Sequence, residues 1–362
     1  MAPKVLIKGT SYNIISGNSL VNGTSYNIIN GKTLIDGTSY NINLAKPQLR
    51  AMFYSDGNVI FQYGGTVVAN KTLKNIYTGF DNKVFTSHNS IPWSSHMRNI
   101  KYVSFLNSIS TQSMAFWFYN SRLISINFTN LNIDSIIDMS NAYYNCRNLT
   151  GSPVCSNNVT DMSSAYCYCS NLTGNPVCGN NVTDMYRAYS NCKNLTGNPA
   201  CGDNVNNMST AYYYCYRLTG SPVCGNNVTN MSYAYSNCRN LTGSPACGNN
   251  VTNMSYAYSD CSNLTGNPVC GNNVTDMSYA YSDCRNLTGS MYIYSKNIKN
   301  MHGCFYSRNT SNMLNIYIYK DSTTHNCFNV TNTYSIVGKN ITWTNTDVGF
   351  YNTQYNLYVY YL

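Results

Sequence analysis

The chain contains no glutamate; its thirteen acidic residues are all aspartate. Charged residues make up only 10% of 362 positions, and 22 Lys and Arg leave a formal net charge of +9. There is no acidic tail, and no basic run of the kind that tracks nucleic acid, so nucleic acid is not expected as a partner. The slight positive balance would suit anionic partners such as cell-wall polymers, but with no basic run it reads first as a polar surface with a slight bias. No apolar stretch is long enough to cross a bilayer, and the opening residues 1–9 lack an apolar leader core. Membrane insertion is therefore not expected, and folding in the cytosol is. HExxH, a glycine-rich phosphate loop and Cys-x-x-Cys are all missing. The four histidines, His88, His96, His302 and His325, are scattered. No catalytic residue, metal ligand or cofactor site is expected.

What is present is a repeat. Met139, Met162, Met185, Met208, Met231, Met254 and Met277 follow one another at a constant 23 residues, each inside a near-identical unit. A fixed period of this length is the mark of a solenoid, whose units bury their apolar face only by stacking on neighbours. Counted from each Met, Val or Ile stands at −3, Ala at +3, Tyr at +4, Cys at +7 and Leu at +10. That spacing predicts one apolar helical face per unit, capped by the Thr, Asn or Asp after the Val. The second half, Leu-Thr-Gly-Ser/Asn-Pro-Val/Ala-Cys, reads as a short extended rung, and Gly-Asn-Asn turns the chain into the next unit. The expected fold is a repeat solenoid with a short β rung and a short helix in each 23-residue coil.

The string Met-Ser-x-Ala-Tyr-x-x-Cys-x-x-Leu-Thr resembles the BspA-like leucine-rich repeat of bacterial surface proteins and of phage, over roughly residues 95–315. The family usually carries Phe where this chain has Tyr, and an aliphatic residue where it has Ser152 or Asn175. The resemblance implies a right-handed solenoid with a parallel sheet on one face, used for adhesion.

Four regions are expected: 1–45, 46–110, 111–310 and 311–362. In the first, Gly9-Thr-Ser-Tyr12 recurs at Gly23 and Gly37, a 14-residue period predicting a six-stranded meander that anchors or oligomerises the protein. It is similar to meanders at the start of phage structural proteins. Residues 46–110 read as a β-rich N-cap, with a hairpin around Ser55-Asp-Gly-Asn58 and a covering segment from Ile91 to Phe105. Degenerate units flank the perfect block at Met114, where Trp117 and Phe118 replace Ala and Tyr, and at Met301. Residues 311–362 read as a C-terminal β cap with strands at Thr331–Ile336, Asn340–Thr344 and Leu357–Tyr361.

Two columns are candidate binding surfaces. Tyr233, Tyr256 and Tyr279 stand two after the Met, in one column with Arg187; Arg147, Lys193, Arg239 and Arg285 stand eight after it. Aromatic and Arg side chains are enriched at contact hot spots. As plain surface chemistry, the same columns are a solvated face with long side chains. Asp138, Asp161, Asp184 and Asp276 offer carboxylates for acid/base work, but they stand where a cap is needed.

The function expected is a non-enzymatic phage fibre or adhesin that binds the host surface. Its partners would be other virion proteins through the N-terminal hairpins, a bacterial surface glycan or protein receptor, and further copies of the chain. The alternative is a bacterial cell-surface adhesin on the same fold. A glycan depolymerase is the third reading.

Thirteen of the sixteen cysteines fall in two columns at the repeat period, which reads as buried free thiols rather than a disulfide framework. Alkylation of denatured, unreduced protein should therefore modify most of them by intact mass. Near-zero labelling would mean the columns are bridged.

Overall fold

The computed structural model describes residues 48–64, 68, 70–80, 83–306, 313–320, 344–353 and 356–362, and the strand backbones between residues 4 and 41. The 14-residue period folds as the sequence predicts. Strands β1 (Lys4–Ile7), β2 (Thr10–Ile15), β3 (Asn18–Val21), β4 (Thr24–Ile29), β5 (Lys32–Ile35) and β6 (Thr38–Asn41) pair antiparallel in chain order. The register repeats with the sequence: Lys4 faces Asn13, Asn18 faces Asn27 and Lys32 faces Asn41.

A second sheet follows. β7 (Leu49–Tyr54) and β8 (Asn58–Tyr63) form the hairpin around Asp56-Gly57, and β9 (Leu73–Thr78) lies on the outer edge of β7. On the far side, β10 (Tyr102–Leu106) and β11 (Ser125–Asn127) run parallel to β8. Aromatic rings cover one face. Phe61 stacks on Trp117 at 5.0 Å, and the Trp93 indole N–H donates to the Trp117 carbonyl at 2.9 Å. Trp93 and Trp117 are fully buried, so the first coil meets a dry aromatic lid rather than water.

Within the 23-residue units no helix forms, contrary to the sequence expectation. The amides instead alternate between two destinations. The N–H groups of Met208, Thr210, Tyr212 and Tyr214 donate to carbonyls of Asn230, Ser232, Ala234 and Ser236 in the next unit, at 2.8–3.0 Å. Those of Ala211, Tyr213 and Cys215 donate three residues back within their own unit. The backbone turns left-handed at Thr210 and Tyr214, with φ of 55° and 60°, and at the same two places in the other units. A left-handed non-glycine residue costs about 1–2 kcal/mol. It is tolerated because it swings every second amide out of the turn and onto the neighbouring unit. Side-chain spacing survives this change, which is why the columns read as helical: Val205, Met208, Ala211, Tyr212, Cys215 and Leu218 are all buried as predicted.

Nor does the extended half form a strand, and the reason is specific. The Tyr212 hydroxyl crosses the coil, donates to the carbonyl of Ala200 at 2.6 Å and accepts from its N–H at 3.0 Å. Tyr166, Tyr189, Tyr235, Tyr258 and Tyr281 brace Val154, Val177, Val223, Ala246 and Val269 in the same way. With Pro lacking an N–H and the next residue held by a tyrosine, little backbone is left to pair with the adjoining coil. The inter-unit ladder narrows to one parallel bridge per coil, running from Asp138 through Asp161, Asp184, Asn207, Asn230, Asn253 and Asp276 to Asn300.

The units stack in register. Successive rings from Tyr166 to Tyr281 lie face to face at 5.3–5.5 Å, within 6° of parallel. The +7 thiols from Cys169 to Cys284 each donate to the carbonyl of the preceding unit's tyrosine, as Cys215 does to Tyr189 at 3.1 Å, and Cys146 donates to that of Phe118. The fifteen described cysteines are free. Gly220, at φ +77°, must be glycine, since a Cβ there would run into the Asn198 side chain of the coil before.

A third sheet closes the described chain in the order β12 (Gly289–Tyr292), β13 (Leu314–Ile318), β16 (Leu357–Tyr361), β15 (Gly349–Asn352), β14 (Thr344–Thr346). The expected strand at Thr331–Ile336 lies outside the described residues, as does most of Asn340–Thr344. The described chain is thus mostly strand and turn, with three short 3-10 helices at His88–Ser90, Ser94–Asn99 and Ile133–Ser135.

One member of the tyrosine column differs. The Tyr143 hydroxyl is buried without a hydrogen-bond partner, whereas Tyr212 makes two. Tyr212→Phe strands both backbone groups of Ala200 and should cost about 1–3 kcal/mol in urea unfolding. Tyr143→Phe removes only an unsatisfied hydroxyl and should be neutral or stabilising. Equal losses for the two variants would refute the bracing role.

Candidate adhesion surface

The outer tyrosines form a ladder of their own, half-buried rather than projecting freely. Tyr233 and Tyr256 stack at 4.5 Å, and Tyr256 and Tyr279 at 4.7 Å. Their left-handed φ values, 56°, 55° and 52°, turn the rings onto one another. Tyr279 is closed off by His302, whose Nε2 is 2.7 Å from the tyrosine oxygen, and Tyr213 meets Tyr233 edge-on at 6.0 Å. Faces that would stack on a sugar are therefore occupied by neighbouring rings, leaving edges and hydroxyls. Arg187 does not adjoin this ladder. Thr210 stands between it and Tyr233 in the column, and its guanidinium lies 5.5 Å from the Tyr186 ring centroid.

The cation line is open. Arg147, Lys193, Arg239 and Arg285 are exposed and recur at every second unit. Arg285 pairs with Asp283 at 2.9 Å. Arg147 instead donates to the Asn145 side chain at 2.8 Å, and Arg239 reaches Asn237 at 3.5 Å. Lys193 and Arg239 both lie against the Tyr216 ring, at 5.8 and 5.6 Å from its centroid. Arg147, Lys193 and Arg239 have no carboxylate partner among the described residues. Tyr216 was not singled out from the sequence, although it fills the same +8 column between two of the cations. A second stack, His88 on Tyr119 at 4.8 Å and Tyr119 on Tyr144 at 4.7 Å, had no periodic signal, because His88 lies outside the repeats.

The aspartate column is structural. Asp138, Asp161, Asp184 and Asp276 each accept the N–H two residues on at 2.7–2.8 Å, and Asn207, Asn230 and Asn253 do the same at 2.9–3.0 Å. They cap a tight turn rather than the expected helix. Burial pushes the Asp184 carboxyl up, with the Asp161 charge adding to it. The thiols are also raised by burial: Cys155 and Cys201 to about 12, Cys178 and Cys224 to about 11. Such thiols are not poised as nucleophiles. Among the described residues no three His, Cys or Asp side chains gather as a metal would require, and no helix is long and apolar enough to cross a membrane.

A stack of 23-residue units with this column pattern defines a repeat protein. More particularly, residues 112–220 and 225–319 match the family described as Mycoplasma protein of unknown function, DUF285, and the chain belongs to that family. No curated protein matches the chain. The crystal structure of a leucine-rich cell surface protein from Faecalibacterium prausnitzii A2-165 aligns at 16% identity, over 80% of this chain and 76% of that one, with a TM-score of 0.33. A likeness that loose carries no weight for function.

The stacked carboxylates yield a signed prediction. A carboxyl raised by the fold loses stability as pH climbs from its unfolded value through its folded one. Asp184→Asn, which copies Asn207, should therefore raise the thermal midpoint at neutral pH. The gain should shrink as the pH falls below about 4, where the parent is protonated in both states. A gain independent of pH would contradict the assignment.

Proposed function

We propose that the protein is a non-enzymatic adhesion protein of a bacterial surface, and that its repeat stack is a solenoid presenting a line of positive charge to an anionic envelope polymer. The observation that carries this reading is the set Arg147, Lys193 and Arg239, without carboxylate partners among the described residues, at every second coil of the stack. Two coils span about 10 Å at parallel-ladder spacing. Cations at that interval meet successive charges of a polymer, and several weak contacts along one chain add through effective concentration. The resemblance of the repeat to that of BspA-like bacterial surface proteins supports the same reading. The bound partner is a surface glycan or a protein receptor; nucleic acid and bilayer insertion have no part in it.

A second reading, a phage fibre subunit, is favoured by one feature, the six-stranded antiparallel N-terminal sheet. In that setting the sheet would dock on other virion proteins or on copies of itself. Antibody labelling of host cells and of purified virions separates the two settings.

The adhesion reading predicts that purified protein sediments with host envelopes, that salt releases it, and that Arg147→Ala/Lys193→Ala/Arg239→Ala weakens binding several-fold without lowering the thermal midpoint. Failure of the parent protein to bind any envelope preparation would end it. New reducing ends in envelope polysaccharide would point to a depolymerase instead.

A further inference from the structure

We propose that a cleft at one end of the second sheet binds an anionic sugar, one that bears a phosphate or carboxylate group. The cleft lies where β7 ends and β8, β9, β10 and β11 begin, and has a volume of about 440 Å³. That suits one or two sugar residues, since small-ligand sites span roughly 300–1,000 Å³. Four cations line it: Lys74 from β9, Arg98 from the 3-10 helix Ser94–Asn99, Lys101 just before β10, and Arg122 ahead of β11. All four are exposed, and no carboxylate is among the lining residues.

The acid in the adjoining turn is already engaged. Asp56 is held by Lys71 at 2.5 Å and accepts the Asn58 N–H at 3.0 Å. The Lys71 contact pulls its carboxyl down to about 2, so it stays charged and committed to that pair. Four like charges drawn from four separate segments onto one concave wall repel one another, and a hollow with low-dielectric sides concentrates their field. An incoming anion relieves that repulsion. Two arginines add geometry as well as charge, because a guanidinium fork presents paired N–H donors to a phosphate or carboxylate.

The wall is also held in shape. The Lys101 stem lies across Gly57, whose φ of +87° leaves no room there for a Cβ. Half-buried His96 is fixed by its Nδ1, 2.8 Å from the Tyr77 oxygen and 3.0 Å from the Ser95 hydroxyl. Asn58, Asn75 and Asn99 supply amides along the same lining, neutral donors and acceptors suited to sugar hydroxyls. Charged groups for the anion and amides for the hydroxyls together specify an acidic sugar rather than a bare ion.

The inference rests on the adhesion reading only for the source of the sugar, an envelope polymer. Calorimetric titration of the full chain at low salt tests the site itself, with glucose 1-phosphate, galacturonate, glucose and inorganic phosphate as probes. At least one of the two acidic sugars should bind, and which one does distinguishes a phosphate from a carboxylate source. Glucose should not bind, and inorganic phosphate should bind more weakly than the acidic sugar. Arg98→Ala and Arg122→Ala should each weaken binding about tenfold, the loss of one charge-assisted contact. Lys299→Ala, at an exposed position on a coil at the other end of the repeats, should leave it unchanged. These exposed arginines can be removed without touching the core, and an unchanged thermal midpoint verifies that. The proposal is overturned if neither acidic sugar binds, if phosphate binds as tightly as the sugar, or if both cleft variants bind like the parent. Envelope sedimentation is a separate readout. Its failure alongside intact sugar binding would remove adhesion and leave the cleft.

Discussion

One hydroxyl governs the architecture. In every perfect coil but the first, whose Tyr143 makes no such bond, a core tyrosine reaches across to a single Val or Ala and takes both its N–H and its C=O, as Tyr189 does with Val177 and Tyr235 with Val223. A buried peptide unit left unpaired costs about 1–3 kcal/mol. Here the side chain does what a neighbouring strand does in a sheet-bearing repeat. Phenylalanine at this place would leave that peptide without its partner. Tyrosine makes each coil self-bracing, and the sheet narrows to one bridge.

That constraint explains what could be read in the residues and what could not. Burial was legible, because a 23-residue period forces like residues to coincide: Val, Met, Ala, Tyr, Cys and Leu are buried in the perfect coils. The two N-terminal hairpin periods and the hairpin at Asp56-Gly57 were legible from turn chemistry. The backbone path of the coil was not. Apolar offsets of 3, 4 and 7 suit a helix and a chain of tight turns equally, since both bring every third or fourth side chain to one side. The discriminating signal was faint. Asn at 145, 191 and 237 tolerates a left-handed backbone, but Tyr233 and Arg187 adopt it as well, against their own preference. Only the amides donated to the next coil make that worthwhile, and they are a tertiary effect.

The same backbone decides which outer residues are available. A left-handed turn at +2 lays Tyr233, Tyr256 and Tyr279 against each other, so the aromatic candidate column is largely consumed in its own stacking. At +8 the chain has left the turns, and Arg147, Lys193 and Arg239 stand clear. Tyr216 then acts as a spacer between two cations, holding Lys193 and Arg239 on its ring without neutralising either. The basic cleft escaped the sequence altogether. Arg122 stands eight after Met114, but Lys74, Arg98 and Lys101 follow no period, and the four meet only because β9 starts where β7 ends and β8, β10 and β11 run parallel and start at that same end.

Seven coils in one chain also act as an internal comparison. The inward columns scarcely vary, while +2 carries Asn, Ser, Arg, Thr and three Tyr, and +8 carries Arg, Ser, Lys, Tyr, Arg, Ser and Arg. Stacking demands identity inside, because each ring or thiol must meet its own kind one coil away. It places no such demand outside. The alternation of cation and neutral residue at +8 in these seven coils is not demanded by the stacking, which treats every coil alike. A line of charge at twice the coil spacing is a property the scaffold permits but does not require.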